Sequence, residues 1–527
     1  MCYNSSMERL FDNSDFSRYR HCRALFVSGV VMPAAESEAS LFRRSQYSAL
    51  SGYLKTLFPG GVDCRADDPR TSFLRFRDAV AAGAQICYDA AFVAGSFCTA
   101  ADVVKICDGG VELYYVKTTP KVTDSALAKA AYVAEVTEMS GFKVAKICVA
   151  VCNRSYVRKG KIDPARLLKI TDVTERKEQG AEIVKEFIRE AEKAVSEPVA
   201  IEMSVKCERP DKCEYFGKCV GGVARPSMLD FHGIDGKTSY KLFSEGVKSL
   251  DDLLDNAHLL KPAQAAMVRM YLTDDDLHID KARVKAFVEK LHYPMCFLDF
   301  EACQPAVPLY DGTRPFMQIP FQYSLHVKRS PHEELEHYQY LPAAGEDPRA
   351  EIAKRLFMQI PHGASVVVFS KGLECSVLSS LATKYKEYAH KLNAARNSVS
   401  DLQELFAARA VYSKAMLGST SLKIVYPALF PGDGSCDYSQ LDVHNGAEAM
   451  RLFVRAQFEP KEKRAAYYEK LYTYCGKDTV SLARMVQLFA SVTGAEIGQK
   501  KRRRHRRGRR RSSGQNGTPD GAPQKDE

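Results

Sequence analysis

Asp299 and Glu301 stand two apart at the end of the apolar run MCFLDFE. In an extended strand, side chains two apart share a face, so both carboxylates point the same way. Glu374 follows the apolar run ASVVVF after a short turn, SKGLE. Tyr474 and Asp478 are four apart in LYTYCGKDTVSLARMV, which puts them on one helix face. Asp401 opens DLQELF, either as a further acid or as a helix N-cap. Gathered carboxylates repel one another unless a cation neutralises them. Hard oxygen ligands favour Mg²⁺ or Mn²⁺. Two such ions about 4 Å apart can activate water and stabilise the leaving oxygen in phosphodiester cleavage. A tyrosine beside them can orient the attacking water. A lone D-x-E is an ordinary strand end, and a lone Y-x-x-x-D is ordinary helix surface. The two in this order, with an acid between them after a strand, argue for metal-dependent chemistry.

The elements that must position these residues begin near Lys281. HYPMCFLDFE predicts a buried strand, FMQIPFQYSLHV an antiparallel strand and ASVVVFS a third, with helices to about residue 495. A mixed sheet followed by helices predicts an α/β fold. Upstream, ADVVKI, the turn Asp108-Gly109-Gly110 and VELYYVK predict a hairpin. Residues 124–140 then read as a helix and VAKICVAV as a further strand. A charged helix over 175–195 leads to three cysteines. Residues 223–280 read as a helical connector, whose Gly233-Ile234-Asp235-Gly236 turn fits either a helix-hairpin-helix or a plain linker.

Asp299-Phe300-Glu301, Glu374 and Tyr474-Cys475-Gly476-Lys477-Asp478 resemble the DEDDy branch of the DnaQ-like 3′–5′ exonucleases, which have an RNase H-like fold. The wider text FLDFEACQPAVPLYDGTRPFMQIPFQYSLHV, GSTSLKIVYPALFP and YCGKDT is similar to a bacterial family known only as a domain of unknown function. In that family such a domain follows a RecB-like nuclease module. The resemblance implies that Asp299, Glu301 and Asp478 hold two Mg²⁺ or Mn²⁺ ions. It implies that Glu374 supplies the acid of the second motif and that Tyr474 orients the water. Ser370 stands where that motif often has Asn. Lys423 is a candidate for a substrate phosphate, or else a surface lysine.

The upstream strand, hairpin, strand, helix and strand, with Asp102 and Lys117, resemble the PD-(D/E)XK nucleases of the RecB type. That resemblance expects an acid at Tyr115, two residues before Lys117, and a Gln near Val133. Both are missing, so the module reads as a degenerate nuclease fold. Cys207, Cys213 and Cys219 are spaced C-x₅-C-x₅-C. Related RecB-like modules tie one early and three late cysteines around a four-iron, four-sulfur cluster, which implies Cys22 as the early partner. Four thiolates also suit structural zinc. Cys148 and Cys296, inside apolar strands, read as small core residues.

The 527 residues suffice for about three domains. Apolar residues at 45% and charged residues at 27% exclude a mostly disordered or fibrous chain. No run approaches the ~20 apolar residues of a membrane helix, and the start has no signal-peptide h-region. A cytoplasmic location follows, with the 16 cysteines as reduced thiols or metal ligands. Eleven of the 75 Lys/Arg but only three of the 65 Asp/Glu lie after residue 498, so most of the net +10 sits in the tail. Arg502, Arg503, Arg504, Arg506 and Arg507 belong to a run that reads as a disordered polyanion-binding segment. The expected organisation is a degenerate RecB-like module over 1–222, a connector over 223–280, an exonuclease-like domain over 281–496 and a tail over 497–527. The expected function is a 3′–5′ exonuclease on DNA or RNA. The alternatives are a non-catalytic nucleic-acid-binding scaffold with decayed nuclease folds and a phosphodiesterase on small nucleotides.

Overall fold

The computed structural model describes residues 9–34, 37–209, 212–273, 277–434, 438 and 441–499. The basic run with Arg502, Arg503, Arg504, Arg506 and Arg507 lies outside the described residues. Mixed α/β structure built on two main sheets fills the rest. Among the described residues no helix is long and apolar enough to cross a membrane.

The first sheet has six strands: β1 (Val62–Asp63), β2 (Ile86–Ala94), β3 (Phe97–Cys107), β4 (Gly110–Lys117), β5 (Val144–Cys152) and β6 (Leu168–Asp172). They lie side by side in sequence order. β1 runs parallel to β2 and β4 parallel to β5, while the other neighbours are antiparallel. The β3–β4 turn needs glycine at Gly110, whose φ is +130° and whose added Cβ would meet the Lys143 carbonyl oxygen at 2.0 Å.

Five helices clothe this sheet: α1 (Asn13–His21), α2 (Arg23–Val31), α3 (Glu38–Thr56), α4 (Pro69–Ala81) and α5 (Asp124–Met139). Local chemistry sets their starts. Asp12 and Asp15 form a capping box at α1, Asp68 caps α4 ahead of Pro69, and Thr123 caps α5. A sixth, α6 (Ala181–Ser196), brings Phe187 into an aromatic cluster. Phe187 is fully buried, with the rings of Phe11, Phe16, Tyr19, Phe26, Phe97 and Tyr132 at 5.0–6.3 Å. The cluster ties α1, α2, α5, α6 and β3 together.

The second sheet has β7 (Met295–Cys303), β8 (Ile319–Lys328), β9 (Leu335–Tyr340), β10 (Ser365–Val368) and β11 (Val399–Asp401). Their spatial order is β9-β8-β7-β10-β11. β8 is antiparallel to β7 and β9, and β10 is parallel to β7 and β11. β7 is therefore central, which explains why its residues are apolar on both faces. Cys296, Leu298 and Phe300 share a core with Ile352, Leu356 and Leu378. Met295 and Phe297 share another with Leu482, Met485 and Val486. Those last three lie on α10 (Lys461–Thr493), a 33-residue helix laid across the sheet.

The two sheets are joined by the loop that leaves β7. Ala306 is buried with Leu50, Leu54, Tyr114 and Val116 of the first body. Its amide donates to Gln46 Oε1 of α3 at 3.1 Å. Arg158 donates its guanidinium to the carbonyls of Pro308 and Leu309 at 3.1 and 2.5 Å, and its amide to Thr313 at 3.0 Å. The connector does not present an open turn. Gly233 lies against Gly418, and His232 donates its amide to the Leu417 carbonyl at 2.8 Å. The segment read as a phosphate-binding turn thus meets protein there.

Phe187→Ala should cost about 3–5 kcal/mol of stability, because six rings cannot collapse into its volume. Urea unfolding reports it as a lowered midpoint at unchanged slope. An unmoved midpoint would mean that the aromatic cluster is not what secures α1 and α2.

Candidate active site

Period-2 alternation puts Asp299 and Glu301 on the same face of β7 as Met295 and Phe297, toward α10. On α10, Tyr474 and Asp478 continue the face formed by Leu471, Leu482, Met485 and Phe489. One oxygen each of Asp299, Glu301 and Asp478 lies within 4.8 Å of the others. Glu374 sits in the first turn of α7 (Gly372–Lys384) and is 2% exposed. Its Oε2 is buried with no hydrogen-bond partner.

Asp401 has a different role from a helix N-cap. It ends β11, and its carboxylate accepts the amides of Ser370, Lys371 and Gln403 at 2.8–3.0 Å. It thereby holds the turn that aims Glu374. Ser370 in that turn has φ +70°, a conformation that Asn adopts more readily than most residues. The preference explains why Asn would suit this position.

Lys423 is neither a free surface lysine nor, in this arrangement, a free phosphate ligand. It lies in α8 (Leu422–Leu429), half-buried, and donates to the Tyr474 hydroxyl at 2.7 Å. Its ammonium is 4.5 Å from the centre of that ring. It is the cation that lowers the carboxyls of Glu301 and Asp478.

Three neighbours carried no signal in the sequence. The Tyr438 hydroxyl donates to Asp478 Oδ1 at 2.7 Å. The Cys475 thiol donates to Asp299 Oδ2 at 3.2 Å. Gly446 opens α9 (Gly446–Ala456), and an added Cβ there would come within 3.3 Å of Glu301 Oε2. Glycine lets a helix start directly against the carboxylates, where its partial positive charge favours them.

Burial is the largest influence on each acid. It pushes Asp299 far above the carboxylate range, helped by Asp478, Glu301 and Glu374. Glu301 rises to about 8 by burial and the Asp478 charge. Glu374 also rises to about 8 by burial. Burial raises Asp478 to about 6, with Tyr438 and Lys423 holding it down. Four carboxyls, one with an orphaned oxygen, beside the Lys423 ammonium make a donor set that fits divalent cations bound through oxygen.

Four cysteines gather between the first helices and the segment 204–220. Cys22 separates α1 from α2, and the His21 ring contacts the Lys206 carbonyl at 3.0 Å. Cys22, Cys207, Cys213 and Cys219 line one cavity with Leu25 and Phe216. The Ser204 amide donates to Cys207 Sγ at 3.4 Å. Cys148 and Cys296 are buried in β5 and β7 as core residues.

Among the described residues Asp102 belongs to no grouping of three or more metal-ligating side chains. Asp102 is buried on β3 and already accepts three hydrogen bonds, while Lys117 ends β4 half-buried. Tyr115 takes the missing acid's place with its ring fully buried in the core.

A family model described as a domain of unknown function (DUF2779) matches residues 296–421. The match includes Asp299, Glu301, Glu374 and Asp401 and stops before Lys423, Tyr474 and Asp478. No curated protein and no solved structure matches the chain.

These acids ionise at about pH 4 in the unfolded chain but only near pH 6–8 when folded. Their contribution to stability therefore falls as pH rises through that window. Without divalent ions, the thermal midpoint should drop between pH 5 and 8. Mn²⁺ should raise it more at pH 8 than at pH 6, with protons released on binding. Stabilisation by Mn²⁺ that ignores pH would contradict this account.

Proposed function

We propose that the chain is a metal-dependent nuclease, a 3′–5′ exonuclease acting on DNA or RNA. The observation that carries this reading is the convergence of Asp299, Glu301, Asp478 and Glu374 in a buried site beside Tyr474. A central strand flanked by antiparallel and parallel neighbours, with its acids facing a long helix, supports the RNase H-like assignment of residues 281–496. Mg²⁺ or Mn²⁺ held by Asp299, Glu301 and Asp478, with Glu374 in reach, would supply a Lewis acid and an activated water. Tyr474 would orient that water through its hydroxyl, and Lys423 fixes the hydroxyl. Gly446 keeps side-chain atoms away from Glu301. The basic tail would add phosphate attraction without sequence preference.

Asp299→Ala or Asp478→Ala should lower Mn²⁺-dependent degradation of end-labelled strands by on the order of a thousandfold or more. Circular dichroism should show the fold retained. Tyr474→Phe should slow hydrolysis while leaving Mn²⁺ binding in place. Full activity in a clean Asp299→Ala preparation would sink the assignment.

The four cysteines are proposed to hold a four-iron, four-sulfur cluster rather than zinc. They line one cavity with Leu25 and Phe216, as a four-thiolate group would need, and structural zinc is the alternative occupant. Anaerobically purified protein should be brown, with a broad visible absorption and iron in excess of zinc. A colourless preparation with one zinc per chain would replace iron with zinc.

A further inference from the structure

Beside the carboxylate centre, α10 meets the second sheet through a set of buried polar groups. Thr479, next to Asp478, and Ser324 on β8 are fully buried, and His326 is buried with them. The Thr479 hydroxyl lies 2.7 Å from the Ser324 hydroxyl, 2.8 Å from His326 Nδ1 and 3.1 Å from the Gly476 carbonyl. The Ser324 hydroxyl in turn lies 2.9 Å from Nε2 of His337, an exposed residue of the edge strand β9. The His326 and His337 rings stack with their centres 4.0 Å apart. Cross-strand register places the set, with Ser324 paired to Asp299 and His326 paired to Phe297 on one side and His337 on the other. Thr479 follows one metal-binding acid in sequence, and Ser324 stands across the sheet from another.

These contacts are met together by one arrangement of protons. A hydroxyl has a single hydrogen to give. The Gly476 carbonyl can only accept, so Thr479 donates there and accepts from both Ser324 and His326. Ser324 has then given its hydrogen and accepts from His337. His326 therefore carries its proton on Nδ1, and His337 carries one on Nε2. Burial, then His337, push His326 down to about 3, which keeps its ring neutral. Gly476 fits the same arrangement. Glycine inside a helix costs about 1 kcal/mol, and an added Cβ here would stand 3.4 Å from His337 Cε1.

Elsewhere α10 packs on β7 through Met295, Phe297, Leu482 and Met485. Apolar contact of that kind sets the distance between helix and sheet but tolerates sliding, whereas a matched hydrogen-bond network specifies one arrangement. A slip of one residue would move the helix by about 1.5 Å along its axis. Metal ligands must be held to within about 0.5 Å.

We propose that Thr479, Ser324 and His326, with His337 at the outer end, are positioning residues that fix Asp478 of α10 against Asp299 of β7 and so set how tightly the carboxylate centre holds its divalent ions. The proposal rests on the metal-dependent reading of that centre.

The test uses the full chain. In metal-free protein, nitrogen NMR of the imidazoles should show His326 as the Nδ1–H tautomer, its signals identified by their loss in His326→Asn. The Nε2–H tautomer there would overturn the network. Thr479→Val keeps the shape and removes the hydroxyl. It should weaken Mn²⁺ binding, read by calorimetry, about tenfold, and lower kcat on an end-labelled strand about tenfold at unchanged KM. Thr479→Ser should restore both. His326→Leu should repeat the loss, and His326→Asn, whose side-chain amide takes the place of Nδ1–H, should restore it. Thr493→Val removes an α10 hydroxyl that donates to the Phe489 carbonyl of its own helix, and should change neither. Unchanged Mn²⁺ affinity in Thr479→Val and His326→Leu would overturn the proposal. So would a lowered thermal midpoint with Mn²⁺ affinity intact, the mark of a merely structural bond. If Thr479→Val loses Mn²⁺ affinity while the unmutated chain degrades no strand, the nuclease reading fails and the positioning role stands. If the strand is degraded and Thr479→Val binds Mn²⁺ and cleaves as before, the positioning role alone fails.

Discussion

Holding four carboxyl groups out of water within reach of one another is the constraint around which the second half of the chain is arranged. Asp299 and Glu301 come from β7, Glu374 from the first turn of α7 and Asp478 from α10. Left to themselves they would separate or stay protonated. Three of them are instead held by a neighbour of opposite tendency. Tyr438 bonds Asp478, Cys475 bonds Asp299, Lys423 balances Glu301 and Asp478, and α9 begins against Glu301. The apolar packing of Met295 and Phe297 on Leu482 and Met485 holds strand and helix together against that repulsion.

The two halves handle charge in opposite ways. The carboxylate centre keeps a buried acid oxygen without a partner, which leaves it open to a cation. In the first sheet the buried acid Asp102 accepts hydrogen bonds from three neutral donors and lies beside the Lys129 ammonium.

Much of this was legible in the sequence because it is local. Two-residue alternation in MCFLDFE and four-residue spacing in YCGKD fix faces without knowledge of the fold. The Asp108-Gly109-Gly110 turn marks a hairpin by its own backbone needs. What escaped depends on contacts between distant segments. Lys423 meets Tyr474 across 51 residues, and Tyr438 meets Asp478 across 40. Nothing local distinguishes Gly446 from any other helix-opening glycine, and Lys129 reads as one lysine on an alanine-rich helix. Asp401 could be read locally either as a further acid or as a helix cap, and only the fold shows that it closes a strand, bonds the Ser370 turn and lies close enough to Glu374 to raise its carboxyl.

The strand order of the first sheet bears on how the chain is made. Every neighbour in β1 to β6 is also a neighbour in sequence, so each strand can dock as it leaves the ribosome. In the second sheet β7 must wait for β10, and its acids must wait for α10, almost two hundred residues later. During that interval β7 and the loop after it would expose Ala306 and Phe316. The completed first body already offers them the surface around Leu50 and Tyr114. The earlier half thus offers the loop after β7 a finished apolar surface before α10 has been synthesised.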